Sequence, residues 1–177
     1  LRHWTALHMA VSKGHFKVAE ALLKAGANSD AANAAGDSAI HIAVNEDNND
    51  ILRLLCSKAD LSATDASNRT ALNLAIQKNR LGLARTLVSL GANPHQVMSL
   101  DGFRAQHKAT LVHITALDKN ISRLRFALTL GGSTDLPDGA GRLPLHYAAT
   151  KGVAPNVDLL LKQDPAAVGH EDSNGHT

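Results

Sequence analysis

Thr5-Ala6-Leu7-His8-Met9-Ala10 opens a pattern that returns four times. It comes back as Ser38-Ala39-Ile40-His41-Ile42-Ala43, Thr70-Ala71-Leu72-Asn73-Leu74-Ala75, Thr110-Leu111-Val112-His113-Ile114-Thr115 and Leu143-Pro144-Leu145-His146-Tyr147-Ala148. The starts at Thr5, Ser38, Thr70, Thr110 and Leu143 are 33, 32, 40 and 33 residues apart. Asn174-Gly175-His176-Thr177 then sets a sixth start at Thr177. A fixed period of this size is the mark of a repeat architecture, in which each unit buries its apolar face only against its neighbours.

A second apolar block follows each start. The blocks are Val18-Ala19-Glu20-Ala21-Leu22-Leu23, Ile51-Leu52-Arg53-Leu54-Leu55, Leu83-Ala84-Arg85-Thr86-Leu87-Val88, Leu124-Arg125-Phe126-Ala127-Leu128 and Val157-Asp158-Leu159-Leu160-Leu161. Three of them end in a glycine tail, at Gly26-Ala27-Asn28, Gly91-Ala92-Asn93 and Gly131-Gly132-Ser133. Thr or Ser before an apolar run is a helix N-cap. Pro144 suits a first helical position, where its missing N–H costs nothing. Glycine after a second block suits a left-handed helix end. Each repeat thus reads as two short helices, and helices of two to three turns do not persist alone in water.

The pattern resembles the ankyrin repeat, with its period near ~33 residues and its Thr-Pro-Leu-His-x-Ala signature. The resemblance covers essentially the whole chain. It implies an all-α solenoid of stacked helix-turn-helix pairs joined by β-turn fingers, with ten short helices and the column of Leu7, Ile40, Leu72, Val112 and Leu145 buried. One repeat domain over residues 1–177 is expected, a fragment of a longer protein. Its repeats run at about 1–33, 34–65, 66–93, 110–138 and 139–171, with an insertion at 94–109 and a sixth start at 172–177. The third repeat has Asn73 in the histidine column, the fourth has Thr115 for Ala, and the fifth has Leu143 for Thr.

Composition narrows the function. Hydrophobic residues make up 44% of the chain and aromatics 3%, so the core is built from small and branched aliphatic side chains. The 18 basic and 16 acidic residues leave no excess of either sign, which argues against nucleic acid and anionic membranes as partners. No run of 18 apolar residues exists, so membrane insertion is not expected. One cysteine, Cys56, makes no internal disulfide and reads as a buried, inert thiol. An intracellular, cytoplasmic setting follows from cysteine usage as an expectation.

No catalytic constellation, metal site or cofactor is expected. His8, His41, His113 and His146 stand in one column, about a helix diameter apart, too far to share a metal with ~2 Å ligand bonds. The resemblance makes them structural. The glycine-rich stretches lack the Gly-Lys-Ser/Thr ending of a phosphate loop.

The resemblance implies a protein–protein interaction scaffold that binds through its fingers and inner helix face. The alternative is a regulatory or substrate-recruiting segment of a larger enzyme, ion channel or ubiquitin ligase. Carried over position by position, the partner-facing residues are Trp4, Lys13, Asp37, Glu46, Arg69, Lys78, Asp118, Arg142 and Lys151. Their charges alternate, which suits another protein or peptide segment of mixed charge. Solvated ion pairs between neighbouring repeats are the plainer account of that alternation. Trp4 reads either as a hot spot or as a contact with adjacent repeats or domains of the same parent chain. Met98 and Phe103 mark the insertion, which either packs back on the stack or forms a contact loop.

Overall fold

The computed structural model describes residues 3–96, 98–99 and 108–177, with the backbone alone at 98 and 99. The chain divides into two compact units, residues 1–93 and 94–177.

The first unit holds six helices: α1 (Ala6–Ser12), α2 (Phe16–Lys24), α3 (Ala39–Asn45), α4 (Asn49–Cys56), α5 (Ala71–Gln77) and α6 (Leu81–Ser89). They pack as pairs, α1 on α2, α3 on α4 and α5 on α6. The pairs then stack, with α3 against α1 and α5 and with α4 against α2 and α6. None of these helices exceeds 9 residues, so packing rather than propensity holds them. Ile40, Ile51, Leu52, Leu55, Leu72, Leu74 and Ile76 are fully buried between the pairs. Each such side chain contributes about 1.5–3 kcal/mol on leaving water.

The second unit holds a two-residue antiparallel ladder, β1 (Met98–Ser99) with β2 (Lys108–Ala109), in which Met98 pairs with Ala109 and Ser99 with Lys108. It continues with α7 (Leu111–Ala116), α8 (Ile121–Thr129), α9 (Pro144–Lys151), α10 (Ala154–Gln163) and a 3-10 turn at Pro165–Gly169. Here α7 packs on α8 and α9, and α10 on α8 and α9. The buried Asn156 ties α10 to the turn after α7, its amide donating to the carbonyls of Ala116 at 3.0 Å and Asp118 at 2.7 Å.

These ten helices, all among the described residues, are the all-α architecture expected. Pro144 and Pro155 lie in the first turns of α9 and α10. Gly26, Gly91 and Gly131 have φ of 86°, 106° and 88° just past α2, α6 and α8. The amides of Ala27, Ala92 and Gly132 reach back to Leu22, Leu87 and Ala127, which closes those helix ends. Leu7, Ile40, Leu72 and Val112 are buried as expected. Leu145 is not: it is half-buried, because it lines an apolar groove of about 280 Å³ with Ala149, Val157, Leu161, Ala167 and Val168. Cys56 is half-buried rather than buried, and partial burial pushes its thiol above the ordinary value. No helix among the described residues is long and apolar enough to cross a membrane.

Candidate functional site

Two structural devices position the candidate surface. The first is the histidine column. The backbone N–H groups of Thr5, Ser38, Thr110 and Leu143 donate to Nδ1 of His8, His41, His113 and His146 at 3.1, 3.3, 3.1 and 3.1 Å. A backbone N–H is only a donor, so Nδ1 is unprotonated and the ring carries its proton on Nε2. That Nε2–H then donates to a carbonyl farther along the chain: Ala31 for His8 at 2.8 Å, Arg69 for His41 at 3.1 Å, Arg142 for His113 at 2.9 Å and His176 for His146 at 3.3 Å. Each ring therefore fastens a helix start to a later segment, which for His8, His41 and His113 leads into the next helix pair. Asn73 keeps the first function, its amide oxygen accepting from the backbone N–H and hydroxyl of Thr70.

The second device is a turn ahead of the first helix of a pair. Asn33, Asp65, Asp138 and Asp172 each accept two backbone N–H groups on Oδ1, two and four residues on, at 2.8–3.0 Å. Each turn is closed by a residue with positive φ: Gly36, Asn68, Gly141 or Gly175. Neighbouring turns join inside each unit, the amide of Ala66 donating to Ala35 and that of Ser173 to Ala140. Sequence reasoning missed these four Asx residues. Their signal was present, as Asx-x-x-Gly or Asx-x-x-Asn recurring at the period of the helices.

The last residue of each turn is the partner-facing position carried over from the sequence. Arg69 is not free there. Its guanidinium lies 2.6 Å from the Asp65 carboxylate and also donates to Gln77 at 3.0 Å, on the last turn of α5. Arg142 pairs with Asp138 at 2.9 Å and stacks over the ring of Tyr147 at 4.8 Å. Burial raises the carboxyls of Asp65 and Asp138, but outweighing hydrogen bonds hold both below the ordinary carboxylate range. For Asp65 these come chiefly from Arg69, and for Asp138 from the Tyr147 hydroxyl and the turn amides. Asp118 is paired with Arg123. These three charges stabilise their own repeats.

The other charges behave differently. Lys13, Glu46 and Lys78 are the C-cap residues of α1, α3 and α5, and all three are exposed. Lys151 is exposed on the last turn of α9. Among the described residues none of these four has an ion pair within 4.0 Å. The ion pair that joins neighbouring repeats of the first unit, Arg80 to Asp47 at 2.7 Å, lies beside them and uses neither Glu46 nor Lys78. Asp37 is half-buried at the end of the Asn33 turn. Trp4 is 37% exposed, with its ring edge-on to His8. The Met98 side chain and Phe103 lie outside the described residues.

A family model described as "Ankyrin repeats (3 copies)" matches residues 7–98. The chain is similar to the nuclear factor NF-kappa-B p105 subunit of Gallus gallus, 31% identical over 84% of the chain and 15% of that protein. It is similar to protein glp-1 of Caenorhabditis elegans, 30% identical over 96% of the chain and 14% of that protein. It is also similar to the tyrosine-protein kinase Shark of Drosophila melanogaster, 30% identical over 88% of the chain and 16% of that protein. The chain spans about a sixth or less of the length of these relatives.

Proposed function

The chain belongs to the ankyrin-repeat family, a non-catalytic interaction fold, and on that premise we propose that it is a protein-binding scaffold whose partner lies along the turns and the ends of the first helices. One observation carries this reading. Lys13, Glu46 and Lys78 recur at the same cap position in the first helices of three successive pairs, exposed and outside any ion pair among the described residues. Exposed charged side chains that no ion pair holds, carried on rigid elements, are the makings of a binding surface. The turns at the opposite ends of α3 and α5 are fixed by Asx hydrogen bonds and by their neighbours, so little order is lost on binding. Trp4 and Asp37 extend the surface at one edge.

The test is affinity capture with the full chain as bait. Each retained protein is then titrated against the wild type and against a variant with Lys13, Glu46 and Lys78 all changed to Ser. We expect the variant to fold with the same helix content and to bind at least tenfold more weakly. Retention of full affinity by a folded variant contradicts the assignment of the surface.

A second reading has one observation in its favour. The likeness to a relative named as a tyrosine-protein kinase supports a recruiting or regulatory role within a larger enzyme. The sequence flanking this chain in its gene distinguishes the two, since a catalytic motif there favours the second.

A further inference from the structure

We propose that the cap residues of α1, α3 and α5 select an extended partner segment in which one basic residue stands between two acidic ones; this rests on the reading of the chain as a protein-binding scaffold.

The three helices have 7 residues each, and each starts directly after a Thr or Ser N-cap, at Thr5, Ser38 and Thr70. Their C-caps therefore line up as Lys13, Glu46, Lys78, a basic–acidic–basic row. Helix α3 packs against both α1 and α5. Neighbouring helix axes lie about 8–10 Å apart, which spaces the three charges by roughly that distance. A segment in the extended polyproline II conformation rises about 3.1 Å per residue with three residues per turn, so positions three apart match the spacing and share one side.

Glu46 is the informative member. The C-terminal end of a helix carries partial negative charge and favours cations. Lys13 and Lys78 conform to that rule, and Glu46 opposes it. Among the described residues Glu46 has no ion pair. Its neighbour Asp47 takes Arg80, and Arg69 is held by Asp65 and Gln77. The turn of the same repeat adds Asp37 rather than a base. An acid kept against the helix dipole, unpaired and exposed, between two unpaired lysines, suits a cationic side chain of a partner. The flanking lysines then favour acidic residues on either side. This pattern also disfavours a uniform polyanion, which Glu46 repels at the centre of the row.

The experiment is fluorescence anisotropy with the full chain and labelled peptides on a Gly-Ser background. One peptide carries Asp-x-x-Lys-x-x-Asp. A control of identical composition carries Lys-x-x-Asp-x-x-Asp, and a third carries the inverted Lys-x-x-Asp-x-x-Lys. We expect the first to bind about fivefold more tightly than its rearranged control at low salt, with the preference lost in ~0.5 M NaCl. The triple variant K13E/E46K/K78E should prefer the inverted peptide. E46Q should lose the preference while its melting temperature stays level or rises. Equal binding of the first two peptides, absence of binding by both, or an unchanged preference in the triple variant overturns the proposal. So does a lower melting temperature in E46Q, which would give Glu46 to the fold. If captured proteins still depend on the surface while the peptides do not discriminate, the charge pattern falls and the scaffold reading stands.

Discussion

A single neutral imidazole fastens two turns at once in this chain, and that makes the histidine column sensitive to acid. Burial lowers the proton affinity of His8, His41 and His113 below the ordinary histidine value, partly offset by the carbonyls of Ala31, Arg69 and Arg142 that Nε2–H contacts. A lowered value means the unfolded chain binds protons first. The stability from these rings is fully present above the unfolded value, about 6.5, and is lost as pH falls through the lower folded values. Asp65 and Asp138 add a second loss in the carboxylate range, because their folded values are also depressed. Asn73 shows that a side chain that does not titrate can hold the same helix start. His41→Asn should therefore flatten the pH dependence of the melting temperature between about pH 7 and 5. It should also cost roughly 1–3 kcal/mol at neutral pH, since the Arg69 carbonyl loses its donor. Circular dichroism melts across pH check both, and an unchanged acid limb counts against this account. The histidine column was legible in the sequence because its period matches the helices. The use of Arg69 and Arg142 was not, because each reaches back four residues inside a turn, where periodicity carries no information.

At the scale of elements, helix starts and stops were legible and the turns between them were not. Threonine and proline at the starts and glycine past the ends are strong local signals. The Asx turns depend on an oxygen that accepts two amides, which a reader of composition records only as loop. Their precision is visible at Gly36, where φ is 74° and an added Cβ would lie 2.4 Å from the amide nitrogen of Ala66. A side chain there is strained by the backbone and collides with the neighbouring turn. Gly36→Ala should destabilise the chain by more than about 1 kcal/mol. Gly26→Ala is the comparison: φ there is 86°, but a Cβ meets nothing within 4 Å. Denaturant titration of both variants separates strain from collision, with Gly36→Ala expected to lose more. Equal losses would mean that the contact between turns contributes nothing.

At the scale of the whole molecule, the gap of 40 residues between Thr70 and Thr110 marked the place where the pattern breaks, and the chain divides into its two compact units between Asn93 and Pro94. The short β1–β2 ladder inside residues 94–109 was not legible, since two-residue strands leave no alternation to read. The burial of Leu145 was overestimated for a related reason. A column position is buried only where another pair packs on it, and Leu145 instead lines an apolar groove of the second unit. The candidate site divided in the same way. Its positions followed from the repeat, but which charges remain free depended on contacts inside each turn.

The most direct measurement is hydrogen exchange of the full chain, followed by mass spectrometry, with and without a captured protein partner. The account predicts added protection at the turns 33–37 and 65–69 and around the helix ends at 12–14, 45–47 and 77–79. Protection confined to α2, α4 and α6, with those segments unchanged, would contradict it.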